Sequence, residues 1–578
     1  MLIKFPLSTI LQWTLILISF FLVAFGQPAW LPWNGLIAAA LGYALLWRVL
    51  LAYPSRQKRF WLAFAWFFAV QLVQMSWFLS HPFWYIYTVY LFICIWLGAQ
   101  FGLLALFITP KVFGSSKVWS VIGNFLAIAA LWTLLEWSRL FLLSGLSWNP
   151  AGLALAGNLY ALQMASLWGV FGLSFWLIFV NLLALYAWVN RIKRPALMAV
   201  WIVAATLPYL YGAIQLSIHQ KNLNNPPSTL RTLLVQTAFP VEESMNQTGM
   251  VNYVTNEWRQ ILQITKKHAG KTIDLIVLPE YVVPFGTFSY VYPLNTVMAA
   301  FTEIFETTNL KFLPAPQYPF AAMQTTLQGP KLFVNNAYWV QAIANYFQAD
   351  MLVGLEDAME VSPGNIEYYS SAQFTHPQDG VNEDALFAQR YDKRVLVPMG
   401  EYIPFTFCKN LAASYGIFGS FTPGQEAMIM TSKQIPLSPS ICYEETYGGI
   451  MCEGRQKGAQ LFVNLTSDVW YPNSKLPQQH LEHARLRTVE NGIPLIRACN
   501  TGVTSAIDSF GRTLATLGGE HPEKVEWVPD ALLADIPIYT YQTLYALYGD
   551  KMIASICLFI LFITIIANIV TKKSNPNE

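Results

Sequence analysis

Eight long apolar runs limit what this chain can fold into. Seven lie within residues 1–215, at roughly 8–26, 32–53, 59–79, 83–109, 117–143, 165–189 and 195–214, and the eighth lies at 552–571. Each is near or above the about 20 residues that an α-helix needs to cross a bilayer core. A chain crossing lipid must satisfy its backbone polar groups within itself, so such runs are read as spanning helices. Residues 216–550 have the composition of an ordinary globular domain. The charged fraction of 12%, against about 25% in soluble domains, is low because charge is nearly absent from the eight runs.

Lysine and arginine fall on alternate connections. Arg56, Lys58 and Arg59 follow the second run, Lys111 and Lys117 the fourth, Arg191, Lys193 and Arg194 the sixth, and Lys572 and Lys573 the last, while Lys4 precedes the first. Connections 26–34 and 80–82 carry neither residue. The positive-inside rule therefore predicts both termini in the cytoplasm and the globular domain outside. The first run is followed by Gln27-Pro28-Ala29-Trp30 rather than a small-residue cleavage site, so it reads as a retained helix. The expected organisation is a membrane domain over 1–220, an extracytoplasmic domain over 228–545 and a last span over 551–571. Within the spans, Glu136 and Arg139 stand three apart on one helix face. They read equally as a self-neutralising pair and as a functional one.

The globular part alternates strand and helix patterns. Apolar strand patterns cover 230–236, 272–278, 351–355, 366–374, 386–396, 435–441 and 460–464. Helical periodicity covers 257–268 and 482–490, and a hairpin pattern starts at 502. Such alternation predicts a layered α/β domain. A segment rich in aromatics and proline, 281–364, interrupts it. This segment is read as a mixture of surface packing and an apolar flap at the membrane.

Three polar residues stand at or near the ends of strand patterns. Glu280 follows LIVLP, Lys393 sits in RYDKRVLVP, and Cys442 ends LSPSI in the stretch PSICYEETYGG (439–449). A thiol at such a turn is exposed and aimed, as a covalent nucleophile must be. At its free pKa of about 8.5 it is mostly protonated at neutral pH, so an adjacent base accelerates attack. Glu280 fits that base, and Lys393 places positive charge where a tetrahedral oxyanion develops. Singly, each has a plainer reading: a buried apolar cysteine, a turn glutamate, a solvated lysine.

These residues carry a resemblance. LPE (278–280), Lys393 and ICYE (441–444) resemble the Glu-Lys-Cys triad of the nitrilase, or carbon–nitrogen hydrolase, superfamily. KRVLVPMGEYIPF (393–405), NLTSDVWYPNS (464–474) and QHLEHARLRTVENGIPLIRACNTGVTSAIDSFG (479–511) narrow it. With seven spans before the domain and one after, the chain resembles the bacterial apolipoprotein N-acyltransferase family over nearly its whole length. The resemblance implies a polytopic membrane domain of about eight spans joined to an αββα sandwich, in the bacterial inner membrane with the catalytic domain in the periplasm. It also implies acyl transfer through a Cys442 thioester. The sn-1 chain of a phospholipid, phosphatidylethanolamine above all, would pass to the α-amino group of an apolipoprotein's diacylglyceryl-cysteine. Glu280 would act as base and acid and Lys393 as oxyanion stabiliser. Glu401 matches a second glutamate kept near the lysine. Tyr443 and Glu444 match residues that would shape the pocket and bind the amine. Trp148 lies in GLSW, where the family usually reads GFPW. A monomer without cofactor or metal is implied, and the 281–364 segment is longer than the family pattern.

Other classes fit less well. A membrane-anchored nitrilase-type amidase would use the same triad with water as second nucleophile, yet one anchor would serve it. A transporter predicts charged residues along several spans, and within the spans Glu136 and Arg139 are nearly alone. His480-x-x-His483 has zinc-type spacing but no matching acidic or cysteine pair. Net charge of +2 without a basic aromatic cluster argues against nucleic acid. Of the six cysteines, Cys94 and Cys557 lie in spans. A catalytic Cys442 leaves at most one bridge among Cys408, Cys452 and Cys499.

Overall fold

The computed structural model describes residues 7–113, 118–192, 194–241, 247–327, 329–378, 389–405, 408–414 and 420–574. Lys4, Lys117 and Lys193, used above in the charge pattern, lie outside the described residues, as does the start of the 386–396 pattern. The chain divides into two compact units. One comprises Met1–Lys221, Tyr471–Gly492 and Gln542–Glu578, and the other Asn222–Trp470 and Ile493–Tyr541.

The first unit is helical. Among the described residues six helices are long and apolar enough to cross a membrane: Pro32–Leu50, Tyr85–Ala105, Val118–Phe141, Ala165–Asn190, Ala196–Asn224 and Asp550–Ala567. The runs at 8–26 and 59–79 form shorter or more charged helices, Thr9–Ala24 and Arg56–Gln74. The first has 16 residues and the second opens on Arg56, Lys58 and Arg59, so the span count lies between six and eight.

Polar side chains inside this unit stitch helices where the backbone ladder is disturbed. A π-turn, Ala38–Gly42, shifts the hydrogen bonds of one span. Asn181 repairs it, its Oδ1 accepting from Tyr43 and Ala44 N–H at 2.9 and 3.1 Å and its Nδ2 donating to Ala39 O at 2.7 Å. Glu136 and Arg139 form a buried pair at 3.9 Å. Each also reaches further: Glu136 accepts from Ala151 N–H at 2.8 Å, and Arg139 donates to Gln100 Oε1 at 2.8 Å. Trp148 is buried against Trp77, His480 and His483, with ring centroids 5.4–5.6 Å apart. The two histidines thus line an aromatic contact.

The helix Ala165–Asn190 breaks at Trp168 and Gly169, where Gly169 has φ +67°. A Cβ at Gly169 would stand 2.3 Å from Tyr545 Cε2, so both conformation and space require glycine. Beyond the break, Val170 N–H lacks an intrahelical acceptor and donates to Glu490 Oε1 at 2.8 Å. Glu490, on the helix Leu476–Asn491, is fully buried and paired with Arg487 at 2.7 Å. Burial outweighs the pull of Arg487 and raises the Glu490 carboxyl to about 8.

The second unit holds two six-stranded sheets. In chain order the strands are β1 (Thr229–Gln236), β2 (Leu275–Val277), β3 (Asp350–Ser362), β4 (Asn365–Thr375), β5 (Gln389–Asp392), β6 (Met430–Ser432), β7 (Ile435–Ile441), β8 (Leu461–Thr466), β9 (Leu495–Cys499), β10 (Ser505–Ile507), β11 (Thr513–Thr516) and β12 (Asp530–Pro537). The first sheet runs β12-β1-β2-β3-β4-β5 and the second β11-β10-β9-β8-β7-β6. Each has a parallel centre, β1-β2-β3 and β7-β8-β9, flanked by antiparallel strands.

Strand periodicity sorts the two cores. In β1, Leu230 and Leu234 face the second sheet while Leu233 and Val235 face helices, and Leu275, Ile276 and Val277 alternate likewise in β2. The inner core joins Leu234, Val277, Leu352 and Phe374 to Leu437, Val463 and Ile496. Helices Gln247–Lys266, Leu294–Phe305 and Asn336–Phe347 cover the outer face of the first sheet, with Trp258 stacked on Trp339 at 5.6 Å. Helix Gly448–Gln456 lies on the second sheet beside β7. The result is an αββα sandwich.

Much of the 281–364 segment is core. Its Tyr292, Phe301, Tyr338 and Trp339 are buried in the helical layer. What projects is the hairpin Ala321–Thr326/Gly329–Val334 and the far end of β3, where Met323 is 62% exposed and Val361 48%. Surface packing and exposed apolar tips therefore coexist.

Because the folded protein holds a proton at Glu490 that the unfolded chain releases near pH 4.3, this group's contribution to stability falls as pH rises toward about 8. Glu490→Gln retains an acceptor for Val170. Its thermal unfolding in detergent is expected to decline less between pH 5 and 8 than that of the parent, by at most about 1.4 kcal/mol per pH unit. Parallel curves would refute the assignment.

Candidate active site

The site assembles where strands of both sheets end. Glu280 lies just past the carboxyl end of β2, Lys393 directly after β5, and Cys442 directly after β7. Parallel strands release their side chains at this edge, where α/β sheets bind ligands. Cys442 has φ +56°, a left-handed conformation that costs an L-residue about 1–2 kcal/mol. It opens the short 3₁₀ turn Cys442–Thr446. The sharp turn carries the thiol out of the sheet plane, and the residue is partly exposed.

Lys393 is wholly buried. Its Nζ donates to Glu280 Oε1 at 2.7 Å and to Glu401 Oε1 at 2.6 Å. Glu401 is itself fixed by accepting from Val397 N–H at 2.8 Å. The Cys442 thiol and the Glu280 carboxyl act on each other's proton affinity, and the Lys393 ammonium stands 5.8 Å from the Tyr443 ring centroid. Glu280, Lys393, Cys442, Glu401 and Tyr443 thus form one cluster. Trp148 belongs to the other compact unit.

The charges explain one another. Burial alone would push the Lys393 proton off, but the carboxylates of Glu280 and Glu401 outweigh it and hold Lys393 firmly charged. Burial raises the Glu280 carboxyl, the Lys393 charge opposes that rise, and Glu401 adds to it. Burial and the Glu280 charge raise the Cys442 thiol, while Lys393 pulls it down. The resting thiol therefore keeps its proton, beside a carboxylate whose raised affinity suits it to take that proton during attack. The fixed ammonium is the group placed to meet negative charge formed next to the sulfur.

Glu444 has a different task from its neighbour Tyr443. Its carboxylate is fully buried and accepts four hydrogen bonds: from Tyr391 OH at 2.9 Å, Arg394 N–H at 2.6 Å, Val395 N–H at 3.1 Å and Ile441 N–H at 2.8 Å. One carboxylate thereby ties the backbone before the thiol to the backbone after Lys393. On the other side, Asn464 Nδ2 donates to Cys442 O at 2.9 Å and Ser440 Oγ at 3.1 Å. Sequence reasoning passed over Tyr391 and Asn464. Asn464 had a visible signal, a carboxamide closing the apolar run QLFVN, where a buried polar group must find partners.

Glu444→Gln would turn an amide N–H₂ toward buried N–H donors. Leaving those donors unpaired is expected to lower stability by about 2–3 kcal/mol and slow alkylation of Cys442. Tyr391→Phe removes one of the four bonds and is expected to cost about 1 kcal/mol. Thermal unfolding and the iodoacetamide rate check both, and equal effects of the two variants would contradict the bracing role.

Comparison with known proteins is consistent with this geometry. Residues 8–183 match the family model described as the apolipoprotein N-acyltransferase N-terminal domain, and residues 245–542 match carbon-nitrogen hydrolase. The apolipoprotein N-acyltransferase of Chlamydia pneumoniae is 31% identical over 551 residues, covering 92% of this chain and 93% of that protein. That of Chlamydia muridarum is 30% identical over 555 residues, with the same coverage of 92% and 93%. Among solved structures, Saccharomyces cerevisiae Nit3 of the nitrilase superfamily is 15% identical with a TM-score of 0.33, covering 54% of this chain and 91% of that one. With both family models matched in order and relatives aligned across nearly the full length, the chain belongs to the apolipoprotein N-acyltransferase family.

Proposed function

We propose that the protein transfers the sn-1 acyl chain of a phospholipid to the α-amino group of a diacylglyceryl-cysteine at a lipoprotein N-terminus, through a thioester on Cys442. The observation that carries this reading is the buried Lys393 ammonium held between Glu280 and Glu401, at the strand edge where Cys442 stands. In the first half-reaction Glu280 takes the thiol proton as sulfur attacks the ester carbonyl. Lys393 meets the developing oxyanion. Collapse breaks the C–O bond, and the departing lysophospholipid alkoxide takes the proton back from Glu280. In the second half-reaction the amine attacks the thioester, Glu280 takes its proton, and the expelled Cys442 thiolate is reprotonated. The products are an amide and a free thiol.

Tyr443, beside Lys393, lines the acyl pocket in this scheme, and Glu401 holds the ammonium. Glu444 acts as a positioning residue, its oxygens being engaged by protein donors. Trp148 is assigned to lipid entry. The domains are 1–220, 228–545 and 551–571, with both termini cytoplasmic and the catalytic domain periplasmic at the inner membrane. That orientation rests on the lysine and arginine pattern of the connections. Phosphatidylethanolamine is the proposed donor and the monomer the working unit. A water-poor site protects the thioester from hydrolysis, which favours acyl transfer over the amidase alternative.

Incubating the purified protein with phosphatidylethanolamine alone is expected to add one acyl mass, sensitive to hydroxylamine and absent in Cys442→Ala. No adduct on a demonstrably free thiol would exclude the reaction. Glu280→Gln and Lys393→Met are expected to slow acylation by about 10²-fold or more.

A further inference from the structure

The turn that carries Cys442 holds a second buried carboxylate. Glu445 is completely buried and ion-paired to Arg497, itself completely buried within β9. Arg497 stands in the parallel centre of the second sheet, its Cα opposite Asn464 of β8 and Ser505 of β10. An arginine in mid-strand among Leu495, Ile496 and Ala498 is costly to desolvate, and a buried ion pair is seldom the most stable filling for such a space. The pair therefore invites an explanation other than stability.

Its placement supplies one. Asn464 holds the Cys442 carbonyl, and Arg497, its register partner on the next strand, holds the residue three positions after the thiol. The turn is gripped by the floor of the sheet at both points. We infer that the Glu445–Arg497 pair is a positioning device for the nucleophile, pinning the turn Cys442–Thr446 to β9 so that the left-handed backbone at Cys442 aims its sulfur at Glu280. The charges that act on the thiol proton include Glu280, Lys393, Asp468 and Glu401, and the Arg497 charge is coupled to the thiol. Lys393 is the cation bonded to Glu280, and Glu445 fixes where the Arg497 charge sits beneath the turn. The inference rests on Cys442 being the nucleophile.

The test uses the full-length protein in detergent and iodoacetamide as probe, with alkylation of Cys442 read by peptide mass as a function of pH. In Glu445→Met/Arg497→Met the pair is replaced by apolar side chains of similar length. The fold is expected to unfold at or above the parent's temperature. Alkylation is expected to slow by about tenfold or more as the thiol loses its aim, with its pH midpoint displaced. Parent-like rate and midpoint in this folded variant would overturn the inference. Should the double variant not fold, Glu445→Asp keeps the charge and draws the turn inward by one methylene. Slower alkylation at near-parent thermal stability supports positioning, and a parent-like rate overturns it. Because iodoacetamide needs no lipid, a failure of the acyl-transfer reading would appear separately, as a missing acyl adduct on a thiol that still alkylates.

Discussion

A lysine ammonium with no solvent contact cannot stay charged without compensating charge, and here two carboxylates supply it. Lys393 lies between Glu280 and Glu401 at 2.7 and 2.6 Å. Removing the ammonium would leave two carboxylates facing each other in a poorly solvated place, which typically costs several kcal/mol. The cluster holds only if three chain segments converge: the end of β2, the end of β5 and the loop containing Glu401. The sandwich satisfies that condition because both sheets stop at one edge. The cation is therefore both a chemical group and the fastener of the surrounding loops.

The consecutive glutamates after the thiol divide the work of holding it. Glu444 reaches across to the backbone after Lys393, so thiol and cation share one brace. Glu445 reaches down to Arg497 in the sheet. Both carboxylates are buried and neither is spent on solvent. A left-handed cysteine persists when its surroundings over-determine it, and these bonds, with Asn464 on the carbonyl, provide that over-determination.

Much of this was legible in the sequence. The sequence predicts β7 over 435–441 because its apolar run stops at a cysteine, and β1 over 230–236 because Leu233, Leu234 and Val235 stand together. Glu280, Lys393 and Cys442 could be grouped since each closes a strand pattern. The short strands β5 and β10 were blurred, as three or four residues carry too little periodicity to mark ends. The segment 281–364 reads as surface packing mixed with a flap because it is rich in aromatics and proline. In the fold Trp339 and Phe301 pack, with rings tilted by 31°, into the layer over the first sheet. The roles of Tyr391 and of the Glu445–Arg497 pair depend on contacts between residues some 50 apart in sequence, which no local pattern encodes. The one hint was an arginine inside an apolar strand.

Neither compact unit is a continuous stretch of chain. The path passes from one to the other four times, at 221/222, 470/471, 492/493 and 541/542. During synthesis the first spans emerge long before Tyr471–Gly492 and Gln542–Glu578, which complete their unit. The helical part thus waits, unfinished, until nearly the whole polypeptide has left the ribosome. Glu490, which caps the break at Val170, arrives 320 residues after it. Excising residues 222–541 as a soluble fragment would carry away Leu476–Asn491 with its buried Glu490, stripped of Val170. The protein's two halves are separable as architectures but interleaved as one biosynthetic product.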